Sequence, residues 1–283
     1  MNNKATVRRT VFLIVWLCLI AAIIAGIFIT GIDGGEKDES IKEVMLDSVL
    51  HESNKVSLFG IAVNPGLISA FIVTAILLTA ALLIRIFALP RFKKIPGKAQ
   101  SAIEWAVGFF SDMAKQNSPH KTAFAGAYIF GAGLYIFFGT IFELFGVQVI
   151  STAGRSISLP APVSDINGAI AVGVTSFLVI LITGIVSRGF KGALGVLKDF
   201  SLPISMSFRL FGALLSGLLV TELVYYYVQL SFVLPVIVGV LFTLLHALIQ
   251  TYVLTTLVSI FYGEAAEPPK KAKKPKAKKQ SKE

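Results

Sequence analysis

The sequence has little of what a soluble enzyme uses to build an active site. Its one cysteine, Cys18, has no second cysteine with which to form a disulfide or a thiolate metal cluster. Asp, Glu, Lys and Arg together make up 15% of the residues. No Walker motif, nucleophile elbow or cluster of metal ligands is present in the sequence. The sequence therefore favours a protein without catalytic residues, cofactor or bound metal of its own.

Long apolar runs dominate the sequence instead. Hydrophobic residues make up 55% of the 283 positions and the mean hydropathy is +0.77, more than the core of a soluble domain of this length requires. A membrane-spanning helix needs about 20 mostly apolar residues. Six runs meet this requirement: 11–30, 66–89, 123–146, 166–187, 200–228 and 232–262. Because the runs are continuous rather than alternating, we predict an all-α polytopic membrane protein and not a transmembrane barrel.

The net charge of +10 raises the question of a nucleic-acid partner, but the positions of the cations give a better explanation. If the amino terminus is cytoplasmic, 20 of the 26 Lys and Arg residues fall on the cytoplasmic side of the six runs. Four fall on the opposite side, where residues 33–52 are rich in acidic side chains. The positive-inside rule therefore predicts that both termini are cytoplasmic, and no nucleic-acid partner is needed.

We divide the chain into four segments. Residues 1–30 form a first membrane helix or a cleaved leader, because two arginines precede the apolar run. Residues 31–64 form a polar outer segment, and residues 65–265 form the main membrane domain. Residues 266–283 are rich in lysine and proline, which predicts a disordered tail that is solvated or contacts anionic membrane lipids. Within the main domain, the spacing of residues 98–116 predicts an amphipathic helix, either interfacial or packed on the protein's own loops.

Arg209 is a charged residue well inside the fifth apolar run, where apolar side chains are expected. An arginine at the centre of a membrane helix costs about 2.5 to 3.5 kcal/mol on insertion scales, so it needs a partner or a function. Ala213 and Ser216 follow at positions i+4 and i+7, on the same helix face. Small residues there let another helix approach closely. The pattern fits a functional arginine facing a second helix, or a buried structural arginine within ordinary helix packing.

The last apolar run carries a polar stripe. Thr243, His246 and Gln250 stand at i, i+3 and i+7 on a helix otherwise made of apolar residues. A stripe of this kind requires water or polar partners. His246 by itself is equally compatible with an ion-transfer group and with a hydrogen-bonded packing residue.

The depth of the polar stripe in the membrane can be compared with the depth of Arg209. The link between the last two helices is centred near residues 229 and 230, and residues equally distant from such a link lie at equal depth in an antiparallel hairpin. We therefore expect Gln250 to face Arg209 and His246 to lie about one turn further out. Glu222 lies roughly 20 Å along the helix from Arg209, at 1.5 Å per residue, so these two side chains cannot pair directly.

Three polar residues are expected near the outer ends of other helices. Glu143 ends the third apolar run, and Asp165 and Asn167 begin the fourth. They are candidates for a polar path on the outer side. Helix capping is the alternative role, particularly for Asp165.

Two stretches of the chain resemble a known family. KDFSLPISMSFRLFGALLSG resembles the arginine-helix motif of F-type ATP synthase subunit a, and LLHALIQTYVLTTLVSIFYGEA resembles the carboxyl-terminal helix of that subunit. The likeness extends to IPGKAQSAIEWAVGFF, TIFELFG and PVSDINGAIAV, so that it covers about residues 64–265.

The resemblance implies an ion-translocating stator with two half-channels against a rotating ring of c subunits, and it implies contacts with the peripheral-stalk b subunits and the remaining ATP synthase subunits. Arg209 matches the essential arginine of the family, and Gln250 matches the glutamine that faces it. Glu143, Asp165 and Asn167 match polar positions of the outer half-channel. The expected location is a bacterial-type plasma membrane, and the ion is either H⁺ or Na⁺.

The chain departs from the family pattern at three positions. Many members carry a glutamate nine positions after the arginine, where this chain has Leu218, and Glu222 stands one turn later. The polar residue seven positions before the glutamine corresponds to Thr243, with His246 displaced by three. An asparagine commonly follows the RLFG motif, where this chain has Ala213. These departures leave the route of the outer half-channel open.

Two other functions are compatible with a polytopic membrane protein. A small-solute secondary transporter would be expected to have an internal repeat with matching broken helices, and the sequence has neither signal. A non-conducting membrane scaffold would have no need for Arg209. The isolated arginine beside small residues favours the stator.

Overall fold

The structure is a computed structural model, which describes residues 9–18, 20, 21, 25, 42, 55–58, 60–119, 122–152, 154, 156–226 and 234–268. Its main elements are seven helices and two short β-hairpins. The helices are α1 (Pro65–Leu83), α2 (Lys98–Asn117), α3 (Thr122–Phe142), α4 (Ile166–Arg188), α5 (Phe190–Leu197), α6 (Ser201–Tyr226) and α7 (Leu234–Ala266). The strands are β1 (Val56–Leu58), β2 (Ile61–Val63), β3 (Gln148–Ile150) and β4 (Ser156–Ser158).

Local signals in the sequence set several helix boundaries. The Asn64 side chain accepts a hydrogen bond from the Gly66 amide at 2.9 Å, and Pro65 takes the first position of α1, where a proline needs no amide hydrogen. Past α1 the helix widens to a π-turn, Ile84–Ala88, and ends in a 3₁₀ turn, Leu89–Arg91. At the junction of α4 and α5, Gly189 has φ of 61°, a conformation that glycine adopts without strain.

The predicted spans are largely confirmed. Four helical segments of the described chain are long and apolar enough to cross a bilayer: 65–91, 122–145, 166–188 and 236–266. The fifth predicted run, 200–228, is one continuous helix, α6 (Ser201–Tyr226). Its first part, Ser201–Gly217, meets α5 at a bend of 47°, and the two together form a fifth candidate span. Of the first predicted run, a helical stretch at Arg9–Cys18 is described, and the rest lies largely outside the described residues.

The two antiparallel hairpins are additions that the sequence did not predict. They precede α1 and separate α3 from α4, so they mark one end of the bundle, which we call the hairpin side. The carbonyl of Lys55 accepts hydrogen bonds from both the amide and the hydroxyl of Thr152, at 2.8 and 3.1 Å, and so ties the two hairpins together. The all-α class is otherwise confirmed, because most of the described residues are helical.

The core lies where α3, α4, α6 and α7 meet, and it contains Ile129, Ile136, Ile180, Met206, Leu210, Leu254 and Val258. Small residues allow the helices to approach. A Cβ on Gly133 would clash with the ring of Phe110, and one on Gly173 would clash with Ser207. The amphipathic helix predicted at 98–116 is α2, and its Phe110 and Ala114 are buried against α3 and α7.

Candidate functional site

Arg209 lies on α6, on the side that faces away from the core. Its neighbours Ser207 and Leu210 are buried, whereas Arg209 itself is exposed. Within the described part of the chain, its guanidinium has neither a hydrogen-bond partner nor an ion-pair partner. A cation inside an apolar helix therefore stands on the outer surface of the bundle without compensation from the described side chains.

Small residues continue the exposed face of α6 beyond the arginine. A Cβ built on Gly212 meets no other atom within 4 Å, and Ala213 is half-buried. Ser216 is exposed, and its hydroxyl donates to the carbonyl of Ala213 at 2.7 Å, so it has an internal partner. The surface formed by Arg209, Gly212, Ala213 and Ser216, which we call the arginine face, is open and shallow enough for another helix to pack against it.

The polar stripe of α7 runs from the surface into the bundle. Thr243 and His246 are half-buried, and Gln250 is 5% exposed. His246 hydrogen-bonds to the backbone of Phe242, one turn earlier. The Gln250 side-chain oxygen Oε1 is buried and has no hydrogen-bond partner. An unpartnered buried amide oxygen is costly, which makes Gln250 a ready acceptor for a donor entering this region.

The side chain of His246 brings α7 into contact with α6 at Gly217. Symmetry about residues 229 and 230 would bring Gly217 level with Phe242. In the structure, the imidazole of His246, one turn further along α7, lies against Gly217. A histidine side chain on a helix reaches back toward the amino terminus of that helix, so this contact agrees with the predicted placement of Arg209 and Gln250 at the same level. No hydrogen bond joins the Arg209 guanidinium to Gln250.

Asp165 and Asn167 lie together at the start of α4. The Asp165 carboxylate caps the helix and accepts from the Asn167 amide at 3.3 Å and from its side chain at 3.5 Å. Asp165 is 9% exposed, and its Cβ would lie 2.9 Å from a Cβ on Gly66, so the first turns of α1 and α4 are in close contact. Asp165 therefore caps α4, as predicted, and both Asp165 and Asn167 also line a cavity.

The cavity has a volume of about 770 Å³ and lies between α1, α3 and α4. Asn64, Asp165 and Asn167 line it near the hairpin side, and Tyr128 and Thr175 line it at greater depth. Its other lining groups are mainly alanine, glycine and valine. The cavity therefore has polar residues at its hairpin-side end and a largely apolar wall.

The cavity and the arginine face lie on different sides of α4. Ala171 and Thr175 line the cavity, whereas Gly173, midway between them, contacts Ser207 of α6. Positions two residues apart point to opposite sides of a helix. The lining of the cavity includes neither Arg209 nor the α7 stripe, so the predicted site residues form two separate groups.

Of the two predicted glutamates, Glu143 lies outside both groups. Glu143 begins the 3₁₀ turn after α3 and is half-buried, but it does not line the cavity. Glu222 belongs to α6, but its side chain lies outside the described residues.

Sequence reasoning missed a polar contact deeper in the bundle. The Tyr128 hydroxyl lies 2.9 Å from the Ser176 hydroxyl and joins α3 to α4 next to the cavity. The signal was available in the sequence, since both residues interrupt apolar runs. Two polar residues on different helices become a pair only when the helices are packed.

The residues that the structure describes contain no group of three His, Cys, Asp or Glu side chains that could hold a metal ion. The site instead consists of single polar groups on apolar helices. They are the exposed guanidinium of Arg209, the half-buried imidazole of His246, the buried amide of Gln250 and the capping carboxylate of Asp165. Such groups can stabilise, attract or pass on an ion without making or breaking other bonds.

These features define an integral membrane protein that carries single polar residues on otherwise apolar helices. The particular family follows from comparison with known families. A family model described as ATP synthase A chain matches residues 67–263, well over half of the chain, and the chain belongs to that family. The resemblance to F-type ATP synthase subunit a is thereby confirmed. The protein is a non-catalytic membrane subunit that serves ATP synthesis and ion transport.

Proposed function

We propose that this chain is the ion-conducting stator of its ATP synthase, and that the arginine face of α6 packs against a rotating ring of c subunits. The observation that carries the proposal is the exposed guanidinium of Arg209, which has no partner among the described residues. Hydrocarbon does not stabilise a guanidinium, so the surface around Arg209 needs a polar or anionic neighbour from another subunit.

The electrostatics of such a contact explain ion release. A carboxylate on the ring that reaches Arg209 is favoured in its charged form, because an opposite charge within about 4 to 6 Å lowers the pKa of a carboxyl group. The carboxylate therefore gives up its ion on arrival. The same fixed positive charge opposes the passage of a cation straight from one half-channel to the other.

The shape of the arginine face suits a moving partner. Gly212 leaves open space, and Ala213 and Ser216 present little side-chain volume. A smooth surface of this kind lets successive ring helices pass without interlocking side chains. A stator needs contact that is close but not tightly interdigitated.

For the outer half-channel we propose two components. Asp165 and Asn167 would attract the ion at the cavity on the hairpin side, and His246 and Gln250, with Glu222 and Glu143 as further candidates, would conduct it toward Arg209. The buried Gln250 Oε1 provides an acceptor for water or for the guanidinium itself. Because α4 separates the cavity from α6, the connection between the two components would pass between α4 and α7.

The proposal extends to partners and location. The ring of c subunits, the peripheral-stalk b subunits and the remaining ATP synthase subunits would bind this chain in a bacterial-type plasma membrane. The transported ion would be H⁺ or Na⁺, and the sodium dependence of pumping separates these two cases.

ATP-driven ion pumping in membrane vesicles tests the proposal. Arg209→Ala should abolish pumping while the complex still assembles, and Arg209→Lys should also fail, because a compact ammonium does not reproduce the planar guanidinium. Arg85→Ala is the matched control: Arg85 is also an exposed arginine in an apolar helical segment, but it lies near the end of that segment, where it can reach the membrane surface. Normal pumping by an assembled Arg209→Ala complex would overturn the proposal.

A further inference from the structure

The connection between α1 and α2 concentrates exposed positive charge. Arg91, Lys93, Lys94 and Lys98 are all exposed, and we call them the basic connector. Within the described chain, none of these four side chains takes part in an ion pair or a hydrogen bond. The proposed function makes no use of them, so their charge calls for an explanation of its own.

The backbone of the basic connector is held in place. The Gln100 side-chain amide receives a hydrogen bond from the Lys93 amide at 3.0 Å and donates one to the Lys93 carbonyl at 2.9 Å. The same amide donates to Glu104 at 2.7 Å, and Glu104 forms no ion pair with any of the four cations. The backbone that carries the cations is therefore held against the first turn of α2 by hydrogen bonds.

The amino terminus of α2 adds to the positive potential. Gly97 occupies the cap position and provides no side-chain hydrogen bond to the first turn. The amide hydrogens of an uncapped first turn, together with the helix dipole, favour a nearby anion. Four cations and a helix terminus thus converge on one short segment.

Large apolar side chains flank this charge. Ile95 is 86% exposed and Trp105 is 73% exposed. Trp105 follows Lys98 by seven residues and lies on the same face of α2, and its ring stacks on Phe109 with the ring centroids 6.1 Å apart. Exposed tryptophan beside cations is typical of protein segments at the boundary between hydrocarbon and headgroups.

The position of the segment fits this boundary. The basic connector begins at the end of a membrane-spanning segment, 65–91, whose last turns expose Ile86, Phe87 and Leu89. A groove of about 550 Å³ runs between α2 and α7. Trp105 and Phe109 line one end of its α2 wall, Asp112, Gln116 and Asn117 line the rest of that wall, and Tyr252 and Thr256 line the α7 wall.

We propose that the basic connector and the Trp105–Phe109 pair form a binding site for an anionic phospholipid of the adjacent leaflet. The cations and the α2 terminus would hold the phosphate headgroup, while Trp105 and the groove would contact the glycerol region and the upper acyl chain. Lipid is a better fit than free phosphate, because a soluble anion would have no use for the exposed apolar side chains.

Fluorescence of Trp105 tests this site in the full chain. The protein has two tryptophans, so Trp16→Phe leaves Trp105 as the reporter. The chain is placed in lipid nanodiscs that contain phosphatidylglycerol and phosphatidylcholine, with bromine on the acyl chains of one lipid or the other. We expect quenching by brominated phosphatidylglycerol to be about twofold stronger than quenching by equimolar brominated phosphatidylcholine, because each cation near an anionic surface adds attraction.

Two charge variants make the test specific. The first variant combines Lys93→Gln, Lys94→Gln and Lys98→Gln, and it should lose the preference for phosphatidylglycerol. The control variant combines Lys191→Gln and Lys198→Gln, two exposed lysines of the α5 region, and it should keep that preference. Equal quenching by the two lipids, a preference that survives the triple substitution, or no quenching by either lipid would each overturn the proposal. Added inorganic phosphate should not compete; full competition would assign the site to a free anion.

Discussion

His246 packs directly against Gly217. A Cβ built on Gly217 would lie 3.2 Å from Nδ1 and 3.3 Å from Cε1 of the imidazole, closer than side-chain atoms normally approach. This contact joins the two helices that carry Arg209 and Gln250. It also holds the imidazole in place together with its hydrogen bond to Phe242.

The contact predicts that Gly217→Val destabilises the protein. The added methyl groups would have to displace the imidazole, and overpacking of this kind typically costs about 1 to 3 kcal/mol. We expect a lower midpoint of thermal unfolding in detergent, and combination with His246→Ala should recover most of the loss. Gly212→Val is the control, since it puts the same residue into the same helix where no atom lies within 4 Å. An equal loss of stability in both variants would contradict the packing argument.

Two substitutions of Asp165 separate its role as a helix cap from its proposed role in ion flow. Asp165→Asn keeps a side-chain acceptor for the helix cap, and asparagine caps helices about as well as aspartate. We expect this variant to be as stable as the parent but severalfold slower in ion flux, because the charge at the cavity is lost. Asp165→Ala should slow flux similarly and also cost about 1 kcal/mol of stability through the lost cap. Unchanged flux in the asparagine variant would leave Asp165 with a structural role alone.

Glu222 stands one turn beyond the position where the family carries a glutamate. If it relays the ion, Glu222→Gln should slow flux severalfold and shift the pH or ion dependence of flux, with assembly unchanged, because only the titratable charge is removed. Measurement of flux against pH in vesicles decides the matter. Should the profile stay the same, the outer route must run through Glu143, Asp165 or His246 instead.

The predicted topology can be tested with single cysteines. Cys18→Ser gives a cysteine-free chain. Thr152 lies exposed by the β3–β4 hairpin, and Lys198 lies exposed between α5 and α6. With both termini cytoplasmic, Lys198→Cys should react with an impermeant maleimide in inverted vesicles, and Thr152→Cys should react only in right-side-out vesicles. The reverse pattern would contradict the orientation drawn from the distribution of Lys and Arg.

The sequence alone determined which segments are apolar helices, and the physical reason is strong. A bilayer gives no hydrogen bonds to the backbone, so a long apolar run has to be helical whatever its neighbours are. Predicted runs such as 123–146 and 166–187 consequently agree with the observed spans 122–145 and 166–188 to within a residue. Asp165 was likewise identifiable as a cap, because capping is decided within one helical turn.

Arg209 was also evident from the sequence, because its desolvation cost depends on the apolar run that surrounds it rather than on a partner. The sequence further gave the spacing of the small residues that follow it. That the arginine is exposed, and not buried against a carbonyl, could be decided only by the packing of α6 on α4.

Relations between helices were decided by the tertiary structure. Counting residues from the link predicts that Arg209 and Gln250 lie level, but the exposure of each side chain depends on how α6 and α7 are rotated: Arg209 is exposed and Gln250 is buried. The pairing of Tyr128 with Ser176, and the side of α4 on which the cavity opens, depend in the same way on how the helices are rotated. Depth follows from position along one chain segment, but rotation and register follow from the contacts of small side chains across helices, which no single segment encodes.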